Sequence, residues 1–189
     1  DGVRGAQESR GHGEVYKRQY ILVGLIGEWT ASVGIVLICL LPKPDGGRRP
    51  IGLMPSLIRL WMRVRLDVVR VWQTHCERPY LYAGPMKGAS VAAWKQAAGA
   101  EWANSSDLDY ISTLLDLVKA FERVPHDWLV HHAIALNYPI RILKLSVKAY
   151  LLGRVIIVDG VASPLIWAER GITAGSVFAT IELRVLLIS

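Results

Sequence analysis

Three places in the sequence have residue types and spacing that could do chemistry. Asp116 sits near the end of an apolar run over residues 109–117 and is followed by Leu117-Val118-Lys119-Ala120-Phe121-Glu122-Arg123-Val124-Pro125-His126. A carboxylate at a strand end in a largely apolar stretch must be solvated, paired or metal-bound. A hard carboxylate oxygen beside a backbone carbonyl suits a divalent cation, while capping of the following turn explains the same residue. The second place is the punctuated turn Pro42-Lys43-Pro44-Asp45-Gly46-Gly47-Arg48-Arg49. Lys43, Arg48 and Arg49 at a hairpin tip could hold a triphosphate, with glycines letting the backbone approach; a solvated turn uses the same residues. The third is Gly171-Ile172-Thr173-Ala174-Gly175-Ser176, which opens a helix. Such a loop can face a phosphate or a base, or serve as a connector with Ser176 as N-cap.

Two further features point away from chemistry. Asp159 precedes Gly160, the pair that a tight type I′ hairpin turn prefers. His131 and His132 are adjacent and cannot both face one ligand from a helix.

These places need a scaffold, and the composition supplies one. The chain has 189 residues, 52% hydrophobic and 20% charged, enough to bury a sizeable core and unlike a disordered tail. Twenty-two Lys and Arg against sixteen Asp and Glu leave a net charge of +6, which favours polyanionic partners. Cys39 and Cys76 are too few for a disulfide framework or a zinc site and read as buried thiols, as in a reducing intracellular compartment. Residues 1–14 are polar and Gly-rich and read as a flexible leader, without the basic-then-apolar pattern of a signal peptide. Residues 20–41 are long enough to span a membrane, but Glu28 and the glycines favour a helix followed by a buried strand.

Hydrophobic periodicity places the remaining elements. Residues 15–30 read as a helix, 33–41 as a buried strand and 49–53 as its hairpin partner. Residues 56–75 form the clearest helix, with Leu57, Leu60, Trp61, Val64, Val68, Val71 and Trp72 on one face and Arg59, Arg63 and Arg70 opposite. Residues 90–103 read as a helix and 109–117 as a strand. Residues 127–136 and 139–151 read as helices split at Pro139. Residues 154–169 read as a hairpin, and a last helix begins near Ser176.

The order of the three places is specific. Leu41-Pro42-Lys43-Pro44-Asp45-Gly46-Gly47-Arg48-Arg49-Pro50-Ile51 resembles the fingers hairpin of reverse transcriptases. Leu115-Asp116-Leu117-Val118-Lys119-Ala120-Phe121-Glu122-Arg123-Val124-Pro125-His126 is similar to that family's first catalytic block, and Arg170-Gly171-Ile172-Thr173-Ala174-Gly175-Ser176 to its following Gly-rich block. The flavour is that of non-LTR retrotransposon, group II intron and retron-like enzymes. The resemblance implies an α+β fold: the fingers and partial palm of a right-hand polymerase, with an antiparallel sheet backed by helices. Residues 15–105 would be fingers-like and 106–189 a partial palm.

The resemblance also implies roles. Asp116 and the backbone carbonyl of Leu117 would hold catalytic Mg2+ or Mn2+, and Lys43 and Arg49 the incoming triphosphate. Phe121 would exclude a ribose 2′-hydroxyl, and Gly171 and Gly175 would let the loop lie against the templating pair. The implied partners are an RNA template, a primer strand and a dNTP, with no membrane. Ala174 stands where the family usually has Gln, and Glu122 where Asp is commoner. The family's Asp-Asp hairpin follows the Gly-rich block, and no Asp-Asp pair occurs in these residues. The 189 residues are therefore expected not to polymerise by themselves, because one carboxylate cannot hold two metal ions. Two other expectations stay open: a nucleic-acid-binding relic without catalysis, and the palm of an RNA-dependent RNA polymerase.

Overall fold

A computed structural model describes residues 18, 21, 23–30, 33–83, 87–113, 115 and 117–188. The expected leader lies outside these residues. The fold is α+β, built on a four-stranded sheet. Strand β1 (Val36–Pro42) turns back into β2 (Arg48–Leu53), pairing antiparallel from Leu37 opposite Leu53 to Pro42 opposite Arg48. The turn is closed by Lys43 N–H donating to the Gly47 carbonyl (2.8 Å) and Gly46 N–H to the Lys43 carbonyl (3.1 Å). Gly47 N–H also donates to Asp45 Oδ1 (3.0 Å), the local role that Asp takes in turns.

Pro55, with φ −49° and ψ 142°, then starts helix α1 (Ser56–His75). After it come α2 (Ala89–Ser105), α3 (His126–Ala135) and α4 (Ile140–Tyr150), the last two divided at Pro139. Strand β3 (Arg154–Val158) turns through Asp159 and Gly160, both at positive φ, into the short β4 (Val161–Ala162). That turn is the role expected of Asp159. Helix α5 (Ala179–Leu187) follows the Gly-rich loop.

The sheet is not wholly antiparallel as expected. Its order is β2-β1-β3-β4, and β3 lies parallel to β1, from Val36 opposite Arg154 to Cys39 opposite Ile157. The chain leaves β2 and returns to the far side of β1 only after four helices, the long crossover that a parallel pair requires. A second correction concerns residues 109–117, whose described members form no strand. Ile111 is 89% exposed and Leu115 86%. This segment is held to α2 by side chains, Gln96 Nε2 donating to Ser112 Oγ (2.9 Å) and Tyr110 OH to the Gln96 carbonyl (3.2 Å). Those bonds replace the strand ladder that the apolar alternation predicts.

Helix α1 meets its expected setting only in part. Trp61 and Trp72 of the expected face are buried, but alongside Ile58, Met62 and Val69, while Leu60, Val64, Val68 and Val71 of that face are exposed. The helix carries two apolar stripes, and periodicity alone cannot choose between them. The large rings decide. Trp61 meets Trp29 and Phe178 edge-on, with ring centres 5.3 and 6.0 Å away, and Trp72 meets Tyr138 at 4.9 Å. The Trp72 indole N–H donates to the Leu136 carbonyl (2.8 Å), which satisfies its one polar group inside the core. One hydrophobic cluster includes residues of the sheet and of α1, α3, α4 and α5. Cys39 and Cys76 are free and half-buried rather than buried. Among the described residues no helix is long and apolar enough to cross a membrane.

The core also encloses charge. Arg184 is 2% exposed; its guanidinium donates to Glu77 Oε1 (2.7 Å) and to the Ala83 carbonyl (2.5 Å). Lys87 also donates to Glu77, and the bonds from Lys87 and Arg184 hold that carboxyl below its ordinary pKa. Glu182 is fully buried and accepts from Tyr150 OH (2.5 Å). Tyr138 OH and Ser146 Oγ face it without completing a hydrogen bond. Burial outweighs these hydroxyls and raises the Glu182 pKa from 4.5 to about 7.

The sign of the resulting pH effect follows. Below pH 4.5 the carboxyl is protonated whether the chain is folded or not, and Glu182 contributes nothing. Between 4.5 and about 7 the unfolded chain ionises and the folded one resists. Stability therefore falls across that window, by about 3 kcal/mol in all. Urea unfolding of the wild type and Glu182→Gln at pH 4.5 to 7.5 should show that fall as the difference between them; parallel pH profiles would contradict it.

Candidate functional site

The Gly-rich loop at 170–176 joins two parts of the molecule that are distant in sequence. On one side, Gly52 N–H at the end of β2 donates to the Ala174 carbonyl (2.6 Å). On the other, Gly171 N–H donates to the Val124 carbonyl and Ile172 N–H to the Phe121 carbonyl, both at 2.8 Å. His126 Nε2 lies 2.9 Å from the Gly171 carbonyl, placed to donate to it. Phe121 belongs to a turn at 118–123 that contains Lys119 at φ 53°, and Val124 follows it directly.

Two glycines make this approach possible. Gly171 has φ 93°, and a Cβ there would lie 2.9 Å from the Glu122 carbonyl oxygen. Gly175 has φ 115°, and a Cβ there would overlap the Gly52 carbonyl oxygen. Gly52 is equally constrained, since its own Cβ would overlap the Thr173 side chain. Both loop positions need the left-handed backbone and the missing side chain together. Ser176 ends the loop: its Oγ accepts from Phe178 N–H (3.2 Å) and lies 2.9 Å from Tyr150 OH. The expected N-cap role of Ser176 thus becomes a local turn just ahead of α5.

Beside the loop lies an open cleft of about 310 Å3, lined by Pro50, Gly52, Glu122, Arg154, Arg170 and Thr173 among others. Arg154 is its half-buried cation. Nη2 donates to the Tyr150 carbonyl (2.8 Å) and to Thr173 Oγ1 (3.3 Å), while Nε has no partner. Burial lowers the Arg154 pKa, though an arginine keeps its charge. Arg154 is not among the site residues that the sequence predicts. The available signal was a lone cation at the start of an otherwise apolar strand, ahead of the Gly-rich block.

The expected site residues divide into groups. Gly171, Gly175 and the Phe121 carbonyl come together in the loop contacts, and Gly52 of β2 joins them. The Phe121 ring is half-buried against the hydrophobic cluster. Lys43 and Arg49 stand on the β1–β2 hairpin, Lys43 half-buried and Arg49 exposed next to the cleft-lining Pro50. Leu117 is 50% exposed at the head of the turn. Asp116 lies outside the described residues. Among those residues no three His, Cys, Asp or Glu side chains converge as a metal site would require. Glu122 and Glu169 both line the cleft. No family model matches the chain, and no curated protein matches it.

The glycine geometry gives a direct test. Gly171→Ala and Gly175→Ala should each destabilise by about 2 kcal/mol or more, from positive φ and steric overlap combined. Gly160→Ala, at φ 82° but facing open space, should cost only about 1 kcal/mol. Urea denaturation of the three variants would show the difference, and equal losses at all three would contradict the account.

Proposed function

We propose that this chain is the fingers and part of the palm of a reverse-transcriptase-like polymerase. The reaction is nucleotidyl transfer from a dNTP to a primer 3′-hydroxyl, directed by an RNA template. The observation that carries this reading is the meeting of three sequence blocks that resemble the family. The Gly-rich loop hydrogen-bonds both β2 of the hairpin and the turn that follows Asp116.

In this reading each residue has a physical task. Lys43 and Arg49 neutralise the triphosphate of the incoming nucleotide through charge-assisted hydrogen bonds. Asp116 and the Leu117 carbonyl supply hard oxygen donors, the kind that suit Mg2+ or Mn2+. When bound, such ions stabilise the charge that builds up on the attacking and leaving oxygens. One carboxylate is too few for two ions, so further carboxylates must join Asp116 for turnover. Phe121 favours a deoxyribose by filling the space of a 2′-hydroxyl. That same bulk disfavours the RNA-dependent RNA polymerase alternative. Gly171 and Gly175 keep the loop thin where a base pair would lie.

Binding of a fluorescent dNTP to the 189-residue chain in Mg2+ tests this. Lys43→Ala and Arg49→Ala should each weaken binding about tenfold, the loss of one charge-assisted hydrogen bond. Asp116→Asn should remove the Mg2+ dependence. Binding that ignores all three substitutions would contradict the reading. Salt-sensitive RNA binding with no dNTP site would favour the non-catalytic relic instead.

A further inference from the structure

The second apolar stripe of α1 has no partner among the described residues. Leu60, Val64, Val68 and Val71 are exposed by 52, 65, 49 and 60%. They follow the spacing of one helix face, so the stripe is continuous along the helix. Along one flank, where Val68 alone of the four takes part, the surface is concave. A groove of about 570 Å3 is lined by Leu25, Trp61, Arg65, Val68, Ile140 and Arg141, among others. Arg65 comes from α1 and Arg141 from α4, and neither forms an ion pair among the described residues.

We propose that this groove docks an acidic amphipathic helix of a partner protein. A concave, aliphatic floor between two helices accepts the anchor residues of a third at i, i+3, i+4 and i+7. Unpaired arginines on both sides select carboxylates on the flanks of that helix. Other occupants fit less well. A second copy meeting the same face by a two-fold axis would set arginine against arginine. A nucleic acid strand takes its grip from aromatic stacking as well as phosphates, and the groove's one aromatic ring, Trp61, is 4% exposed and cannot stack on a base. A bilayer is flat where this surface is grooved. This inference does not rest on the polymerase reading.

The test uses the full 189-residue chain and a fluorescein-labelled helical peptide with Leu anchors at those spacings and Glu on both flanks. The same peptide with Lys in place of Glu is the control. The Glu peptide should bind saturably and the Lys peptide at least about tenfold more weakly. Arg65→Glu with Arg141→Glu should weaken the Glu peptide about tenfold and improve the Lys peptide. Val68→Asp should also abolish binding; all three residues are exposed, and unchanged melting curves would show that the fold is kept. Absence of binding, or equal affinity for both peptides, overturns the proposal. So does self-association, RNA binding or uptake on anionic vesicles that Val68→Asp abolishes.

Discussion

Gly52 and Gly175 let two backbones meet more closely than any side chain permits. A Cβ on either residue would collide with the other strand of chain, and the hydrogen bond from Gly52 to Ala174 is correspondingly short at 2.6 Å. That contact fixes the Gly-rich loop to the edge of the sheet. Gly171 fixes the loop's other end to the turn at 118–123. The cleft, its Arg154 and the route into α5 all follow from these two anchors. Remove either and the hairpin, the turn and the loop lose their common frame, while the helical core could remain. The site is thus a property of backbone geometry first and of side chains second.

The core beneath is organised by rings and by charge that it can only partly satisfy. Trp61 and Trp72 select one stripe of α1 because their indoles find both edge-on partners and, for Trp72, a carbonyl. Arg184 is tied to Glu77 and to the backbone after α1, so its burial is well compensated. Glu182 is less well compensated, with one oxygen lacking a partner. Through Tyr150 it adjoins Ser176, the last residue of the Gly-rich loop. A protonatable group deep in the core is therefore linked, through the Tyr150 hydroxyl, to the element that frames the cleft.

Much of this was legible in the sequence, for identifiable reasons. Turn chemistry is local, so Asp45-Gly46-Gly47, Asp159-Gly160 and the break at Pro139 marked their turns without knowledge of the tertiary fold. The resemblance sets Gly171 and Gly175 against a templating pair, whereas the close approach they make in the fold is to the protein's own backbone, at Glu122 and Gly52. What failed was non-local. The direction of β3 against β1 depends on a crossover of four helices, which no local pattern encodes. The strand expected at 109–117 has the right alternation, yet Gln96 and Tyr110 tie it to α2. The face of α1 was misread because two apolar stripes compete and only the tryptophan contacts separate them. Arg154 offers only the weak signal of a single cation at the head of an apolar strand, and its partners Tyr150 and Thr173 are set by the fold.

On the function proposed above, the hairpin, the turn after Asp116 and the Gly-rich loop form one nucleotide site. Photo-cross-linking with an azido-dNTP in Mg2+, followed by peptide mapping, tests it most directly. Such a site predicts label within residues 41–52, 117–125 or 170–176, displaced by unlabelled dNTP. Label confined to α2 or α3, or label that excess dNTP does not displace, would contradict it.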